Sequence, residues 1–242
     1  MTAMGNTDTI EPTQSDASRG VILHAEGLRK VYQTGGEDLE VLCGVNVKLR
    51  EGETVAVTGA SGVGKSTLLH ILGALDRPTE GRLQIRDVDV LRLDDDPRAQ
   101  FRNRHVGFVF QFHNLLPEFT ALENVMMPAL IARHADGLET RARELLEKVG
   151  LEHRLEHRPG ELSGGECQRV AVARALVMKP ELVLADEPSG NLDHEASSRL
   201  HDLLRELARV EGQAFLVMTH DRDLAASLDR TGHIDAGMLE LD

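Results

Sequence analysis

Apolar residues run along this chain in two rhythms. In the first they are consecutive and short: Thr54-Val55-Ala56-Val57-Thr58, Leu182-Val183-Leu184-Ala185 and Ala214-Phe215-Leu216-Val217-Met218. Such runs predict strands of a parallel sheet that is covered on both faces. In the second rhythm they recur every three or four positions. This holds over residues 121–132 and 138–149, then at Val170, Val172, Ala173 and Leu176, and again at Leu200, Leu203, Leu204 and Leu207. That spacing predicts helices with one buried face. Lys65 opens another helix that reaches about Leu75, and Ser163 is a good N-cap for the helix behind it. Residues 21–50 alternate apolar and polar around a break at Gly35-Gly36, which predicts antiparallel strands. Residues 81–90 and 106–111 read as two further strands, and residues 233–241, turning at Gly237, as a small hairpin. Asp94-Asp95-Asp96 reads as a solvated loop and the start of a helix. Strands alternating with helices predict an α/β fold with a parallel sheet flanked by helices. An antiparallel β subdomain precedes the sheet, and an α-helical subdomain at about 94–177 is inserted in it. Residues 1–20 are rich in Thr, Ser, Asp and Gly without periodicity and read as a disordered tail. Residues 21–242 then make one domain.

Composition narrows the partners. The 242 residues suffice for a domain with a substantial core, and 41% hydrophobic with 28% charged residues is ordinary for a globular protein. No run approaches the roughly 20 apolar residues of a bilayer span. The first residues also lack the apolar stretch of a signal peptide. Both point to the cytosol, with a partner supplying spanning helices if the chain works at a membrane. A net charge of −13 argues against nucleic acid, whose binding depends on neutralising phosphates. Cys43 and Cys167 are too few and too far apart for a disulfide framework or a zinc pattern. His153 and His157 have helical i, i+4 spacing, but no HExxH pattern accompanies them and Pro159 soon breaks the helix.

The chemistry lies at the ends of the apolar runs. Gly59-Ala60-Ser61-Gly62-Val63-Gly64-Lys65-Ser66 fits G-x-x-x-x-G-K-[ST] between a strand and a helix, with Thr67 following. Its glycines let backbone N–H groups curl around phosphate oxygens at a helix N-terminus. Lys65 is then placed for the β- and γ-phosphates of ATP and Ser66 for Mg²⁺. The run 182–185 delivers Asp186 and Glu187 at its end. Asp186 suits Mg²⁺ through water, and Glu187 suits the water that attacks the γ-phosphate, because phosphoryl transfer rests on positioning and charge. His220, after the next strand, is placed to contact the γ-phosphate and Glu187. Gln111, at the end of the 106–111 strand, offers an amide to Mg²⁺ or the attacking water. Tyr32, the only tyrosine, offers a ring for adenine or is a half-buried strand residue. Singly, an acidic strand end, a strand-end Gln or a lone His says little; their order behind a phosphate loop is what carries weight.

Leu162-Ser163-Gly164-Gly165-Glu166, between the phosphate loop and the acidic strand end, completes a series that resembles the ATP-binding-cassette (ABC) superfamily across about 21–241. Tyr32 matches its A-loop, 59–66 its Walker A, Gln111 its Q-loop, 162–166 its signature, Asp186 and Glu187 its Walker B. Ser189-Gly190-Asn191-Leu192-Asp193 matches its D-loop and His220 its H-loop. The resemblance implies an ATPase with ATP and Mg²⁺, working as a head-to-tail homodimer. Each ATP would be held by Walker A of one copy and by Ser163, Gly164 and Gly165 of the other. The Q-loop stretch from Gln111 to Val125 is similar to the LolD family of lipoprotein-releasing ATPases. That implies integral membrane permease partners of the LolC/LolE type and a place on the cytoplasmic face of the inner membrane. A MacB-like exporter, an FtsE-like division complex and, further off, a cassette that transports nothing share the same motifs. Two residues depart from the family pattern. Cys167 stands where Gln or Arg is usual, as a tolerated substitution or an alkylation-sensitive thiol, and Ser189 stands where Thr is commoner, with a near-neutral effect expected.

Overall fold

A computed structural model describes residues 20–134 and 136–242. The expected disordered tail lies outside the described residues except for Gly20, whose carbonyl accepts a hydrogen bond from Glu51 N at 2.9 Å. The chain enters as β1 (Val21–Thr34) and β2 (Glu37–Arg50), joined where Gly35 and Gly36 hold φ of 58° and 109°. A two-residue hairpin needs this left-handed backbone, which glycine adopts without strain. Next come β3 (Thr54–Thr58), α1 (Lys65–Leu72), β4 (Glu80–Ile85) and β5 (Val88–Asp89). Strands β2-β1-β4-β5 form an antiparallel sheet. The single strand expected over 81–90 is therefore two strands around a turn at Arg86-Asp87, with Arg86 at φ 52°. The consecutive polar pair Arg86-Asp87 breaks the apolar alternation of Leu83 and Ile85, and the reading of one strand passed over that break.

The second half supplies α2 (Asp95–His105), β6 (Val106–Val109), α3 (Ala121–Ile131), α4 (Leu138–Lys148) and α5 (Gly164–Leu176). It ends with β7 (Leu182–Asp186), α6 (His194–Glu211), β8 (Ala214–Met218), α7 (Arg222–Ala226), β9 (Arg230–Asp235) and β10 (Met238–Leu241). Helix α2 is more than the helix start read at Asp94–Asp96. It has no buried residue, so no apolar periodicity announced it. Asp95 and Asp96 in its first turn and Arg102, Arg104 and His105 in its last complement the helix dipole instead. Within 94–177, β6 belongs to the main sheet, and the helical mass is α3, α4 and α5.

The main sheet runs β10-β9-β3-β8-β7-β6, parallel except for β10. Its residues alternate between two cores, as period-two side chains must. Leu182, Leu184, Ala214, Leu216 and Met218 pack with α1 and the antiparallel sheet. Val183, Ala185, Phe215 and Val217 pack with α3, α4, α5 and α6. Both faces are covered, which is why these strands carry no polar positions. The pairings Val57 with Met218, Asp186 with Met218 and Val109 with Ala185 bring the carboxyl ends of β3, β8, β7 and β6 to one edge. In parallel sheets that edge is where ligands bind. Among the described residues, no helix is long and apolar enough to cross a membrane.

Candidate active site

The phosphate loop leaves β3 at that edge and ends in α1. Gly59 has φ 156°, and a Cβ there would sit 2.5 Å from the Ile234 carbonyl oxygen, so only glycine fits. Gly64, the N-cap of α1, has φ 109° and is pressed against Val41. Ala60, Ser61, Gly62 and Ser66 are exposed, Val63 and Thr67 half-buried, and Gly64 and Lys65 buried. Lys65 folds back over the loop. Its Nζ donates to the carbonyls of Gly59 (2.7 Å) and Ala60 (3.0 Å) and lies 3.8 Å from Glu187 Oε1. The ammonium thus faces the concavity of the loop, where a phosphate oxygen would meet it.

Glu187 follows Asp186 at the end of β7 and takes φ 45°, a backbone conformation rare for a residue with a side chain. Two bonds hold it there: Glu187 N donates to Met218 O (2.8 Å), and Gly190 N donates to Glu187 O (3.0 Å). Its Oε2 accepts from the backbone N–H of His220 at 3.2 Å and pairs with His220 Nδ1 at 2.8 Å. The His220 ring is 72% exposed, while the Glu187 side chain is only 14% exposed. A shielded carboxylate, gripped by a solvent-facing imidazole and 3.8 Å from an ammonium, can orient and deprotonate a water.

Gln111 reaches the same edge from β6. Its Nε2 lies 3.5 Å from Asn191 Oδ1, and its backbone carbonyl accepts from Asn191 Nδ2 at 2.9 Å. The turn after Glu187 and the segment after β6 are therefore buttoned together. Helix α5 supplies two supports that the motifs did not reveal. Gln168 Nε2 donates to Phe110 O (2.9 Å), and the Arg174 guanidinium donates to His113 O and Asn114 O (both 2.7 Å). Burial lowers the Arg174 pKa from its ordinary value. Their signal in the sequence is a polar residue among apolar ones on α5, with nothing local to name the partner. Ser66, Asp186 and Gln111 offer a hydroxyl, a carboxylate and an amide, a donor set of hard oxygens that fits Mg²⁺. Among the described residues no three His, Cys, Asp or Glu side chains gather into a metal site, so an ion here would need phosphate oxygens or water to complete its shell.

The signature lies apart from the phosphate loop. Ser163 caps α5: its Oγ accepts from Glu166 N (3.3 Å) while Glu166 Oε2 accepts from Ser163 N (2.8 Å). The Ser163 amide, its hydroxyl and Arg154 (3.0 Å) hold the Glu166 carboxyl below its ordinary range. Ser163, Gly164, Gly165 and Glu166 line a cavity of about 340 Å³ together with Asn191, Leu192 and Asp193, and no phosphate-loop residue shares it. Leu162, half-buried, packs on the helical core, and Asp193 caps α6 by accepting from Ala196 N at 2.9 Å. Cys167 is 3% exposed, and burial pushes its thiol up, which removes the alkylation-sensitive reading. The Tyr32 hydroxyl donates to Asp76 Oδ2 (3.3 Å), and Lys30 Nζ lies 4.9 Å from its ring centre. A cavity of about 1030 Å³ lies between α2, α3 and α4 and holds none of the strand-end residues.

The family model described as ABC transporter matches residues 42–190. The chain belongs to the ABC transporter family. Its enzymatic activity is that of an ATPase. The cassette is 54% identical over 223 residues to the lipoprotein-releasing system ATP-binding protein LolD of Geobacter metallireducens, covering 91% of this chain and 99% of that one. It is 52% identical over 219 residues to LolD of Idiomarina loihiensis, covering 90% and 96%. Among solved structures it resembles a dimeric ATP-binding cassette in a post-hydrolysis state bound to ADP and phosphate, with a TM-score of 0.84 and 38% identity over 91% of this chain and 97% of that one.

Proposed function

We propose that this cassette hydrolyses ATP to drive lipoprotein release by a membrane-bound ABC complex. For the cargo class, the supporting observation is identity above 50% over about nine-tenths of the chain to proteins named for that system. For the chemistry, it is the Glu187 carboxylate held between His220 (2.8 Å) and Lys65 (3.8 Å) at the strand ends.

In this reading the loop amides and Lys65 bind the ATP phosphates, and Tyr32 meets the adenine. Ser66, Asp186 and Gln111 hold Mg²⁺, directly or through water. Bound Mg²⁺ neutralises the charge that spreads over the γ-phosphate oxygens. Glu187 orients the attacking water and takes its proton, and His220 fixes that carboxylate while facing the γ-phosphate. The cavity of Ser163–Glu166 and Asn191–Asp193, which lacks any phosphate-loop residue, supports a second copy as the source of the missing half. The dimeric state of the solved relative supports the same arrangement. Each ATP then has Walker A beneath it and the partner's α5 N-terminus above, where a helix end favours anions.

Docking to integral permease subunits is supported by the Q-loop segment. Phe112 (70% exposed), Leu116 and Phe119 present apolar surface directly after Gln111. A helix seated there would sense ATP closure through the Gln111–Asn191 contacts. The test is capture of tagged Glu187→Gln protein from native membranes with ATP, followed by mass spectrometry. Recovery of two permeases of the lipoprotein-releasing type is the expected result. Recovery of a single exporter-like or division protein would move the cargo and leave the ATPase chemistry. Recovery of no membrane protein from ATP-loaded samples would overturn the transport reading.

A further inference from the structure

We propose that His201 is a positioning residue that locks the turn behind Glu187 to the segment carrying His220. The inference rests on the roles given above to those two residues. His201 lies on α6, outside every motif, and is 8% exposed. Its Nε2 shares a 2.9 Å hydrogen bond with Ser189 Oγ and lies 3.8 Å from Asp221 Oδ2. Ser189 stands two residues after Glu187, in the turn closed by Gly190 N donating to Glu187 O (3.0 Å) and Leu192 N donating to Ser189 O (3.0 Å). Asp221 is the neighbour of His220. Its backbone N–H donates to Thr219 Oγ1 (3.0 Å), and its Oδ1 accepts from Asp223 N (2.9 Å) and Leu224 N (3.1 Å) at the start of α7. One imidazole thus spans the two segments whose separation sets the 2.8 Å contact between Glu187 and His220.

The position is costly for a polar ring. Leu200 and Leu204, its neighbours on α6, are 2% exposed, and an apolar side chain would fill the site without needing a partner. A buried polar group is tolerated when it is hydrogen-bonded, and here both partners lie on catalytic segments. Burial lowers the His201 pKa while Asp221, Asp202 and Asp223 pull it up and Arg205 pulls it down. The ring therefore meets Ser189 neutral at pH 7. Ser189, whose difference from threonine looked near-neutral in the sequence, becomes the other half of the strut: it is itself 7% exposed. The device costs little motion elsewhere, because Glu187 is already held by backbone bonds at a strained φ of 45°. What His201 adds is register between the segments that follow β7 and β8, beyond the strand ladder, where small misplacement lowers turnover more than binding.

The experiment measures steady-state ATP hydrolysis, ATP affinity and melting temperature for the full chain and for His201→Leu, His201→Gln, Ser189→Ala and the Leu/Ala double variant. His201→Leu is expected to lower kcat on the order of tenfold while leaving the KM for ATP within about twofold. His201→Gln, whose amide reaches the place of Nε2, is expected to restore most of the loss. Ser189→Ala is expected to match His201→Leu, and the double variant to be no worse than either, as for two ends of one contact. Parent-like kcat in His201→Leu overturns the proposal. So does a loss that His201→Gln does not restore and that follows the melting temperature. If His201→Leu fails to fold, Ser189→Ala, which removes one oxygen, decides: parent-like kcat overturns the strut. Glu187→Gln is the control: if it hydrolyses as fast as the parent, the catalytic reading has failed and the strut falls with it. A slow Glu187→Gln beside a parent-like Ser189→Ala refutes the strut alone.

Discussion

Replacing Glu187 by glutamine changes one oxygen for an amide nitrogen and nothing in shape, so its effects separate cleanly. The amide oxygen can still accept from His220 N, which now lies 3.2 Å from Oε2, and the turn is held by backbone bonds that the change does not touch. Stability should therefore move by less than about 1 kcal/mol, as for one side-chain hydrogen bond altered and not removed. Turnover loses its base. General-base catalysis supplies roughly 10² to 10⁴ in rate, which at about 1.4 kcal/mol per tenfold is about 3–5 kcal/mol of barrier. Binding moves the other way. Lys65 Nζ, 3.8 Å from Glu187 Oε1, is the group a phosphate oxygen would meet, so that oxygen and the carboxylate compete for one ammonium. Removing the carboxylate frees the ammonium from an attraction that at about 4 Å is on the order of 1 kcal/mol even at the dielectric of water, or about fivefold in affinity for the phosphate oxygen. Phosphate release at saturating ATP measures the first effect. Equilibrium binding of radiolabelled ATP measures the second, and size-exclusion chromatography with ATP reports the dimer that slow hydrolysis should accumulate. A variant that releases phosphate within threefold of the parent rate would refute the base assignment. One that binds ATP ten times more weakly would refute the competition at Lys65.

Ser163→Ala removes the cap of α5 and should cost about 1 kcal/mol of stability, read by urea unfolding, while abolishing ATP-driven dimerisation without weakening ATP binding to the monomer; an unaltered dimer would remove Ser163 from the proposed interface. Iodoacetamide at pH 8 should modify exposed Cys43 well before Cys167, whose thiol is buried and pushed up, and peptide mass spectrometry showing the reverse order would contradict the packing of α5. Burial holds His113 and His201 below the ordinary imidazole pKa, so the unfolded chain binds protons that the folded chain does not. Stability from this source is whole above about pH 6.5 and is lost as pH falls from there toward the lower folded-state pKa, so the urea midpoint should be lower at pH 5.5 than at pH 7.5. The depressed carboxylates Asp76 and Glu166 add their loss only below about pH 4.3, outside this window. An unchanged midpoint would refute the contribution.

What the order of residues determined by itself is what local chemistry can encode. Unbroken apolar runs marked β3, β7 and β8, because a strand covered on both faces leaves no polar position to interrupt it. The phosphate loop was legible because its glycines answer to backbone limits, as the 2.5 Å approach of Ile234 O to a Cβ at Gly59 illustrates. Glu187, His220 and Gln111 were legible as strand-end residues in a fixed order. Other features depended on partners far along the chain. Helix α2 carries no buried residue, so no apolar periodicity announced it. Gln168 and Arg174 act on carbonyls 58 to 61 residues away, and no spacing rule reaches that far. The separation of the signature cavity from the phosphate loop was likewise decided by tertiary structure, since a motif records what a residue can touch and only the fold says on which side of the molecule it stands. The same holds for His201: within α6 it reads as one more position on a buried helical face, and folding alone brings Ser189 and Asp221 to its ring.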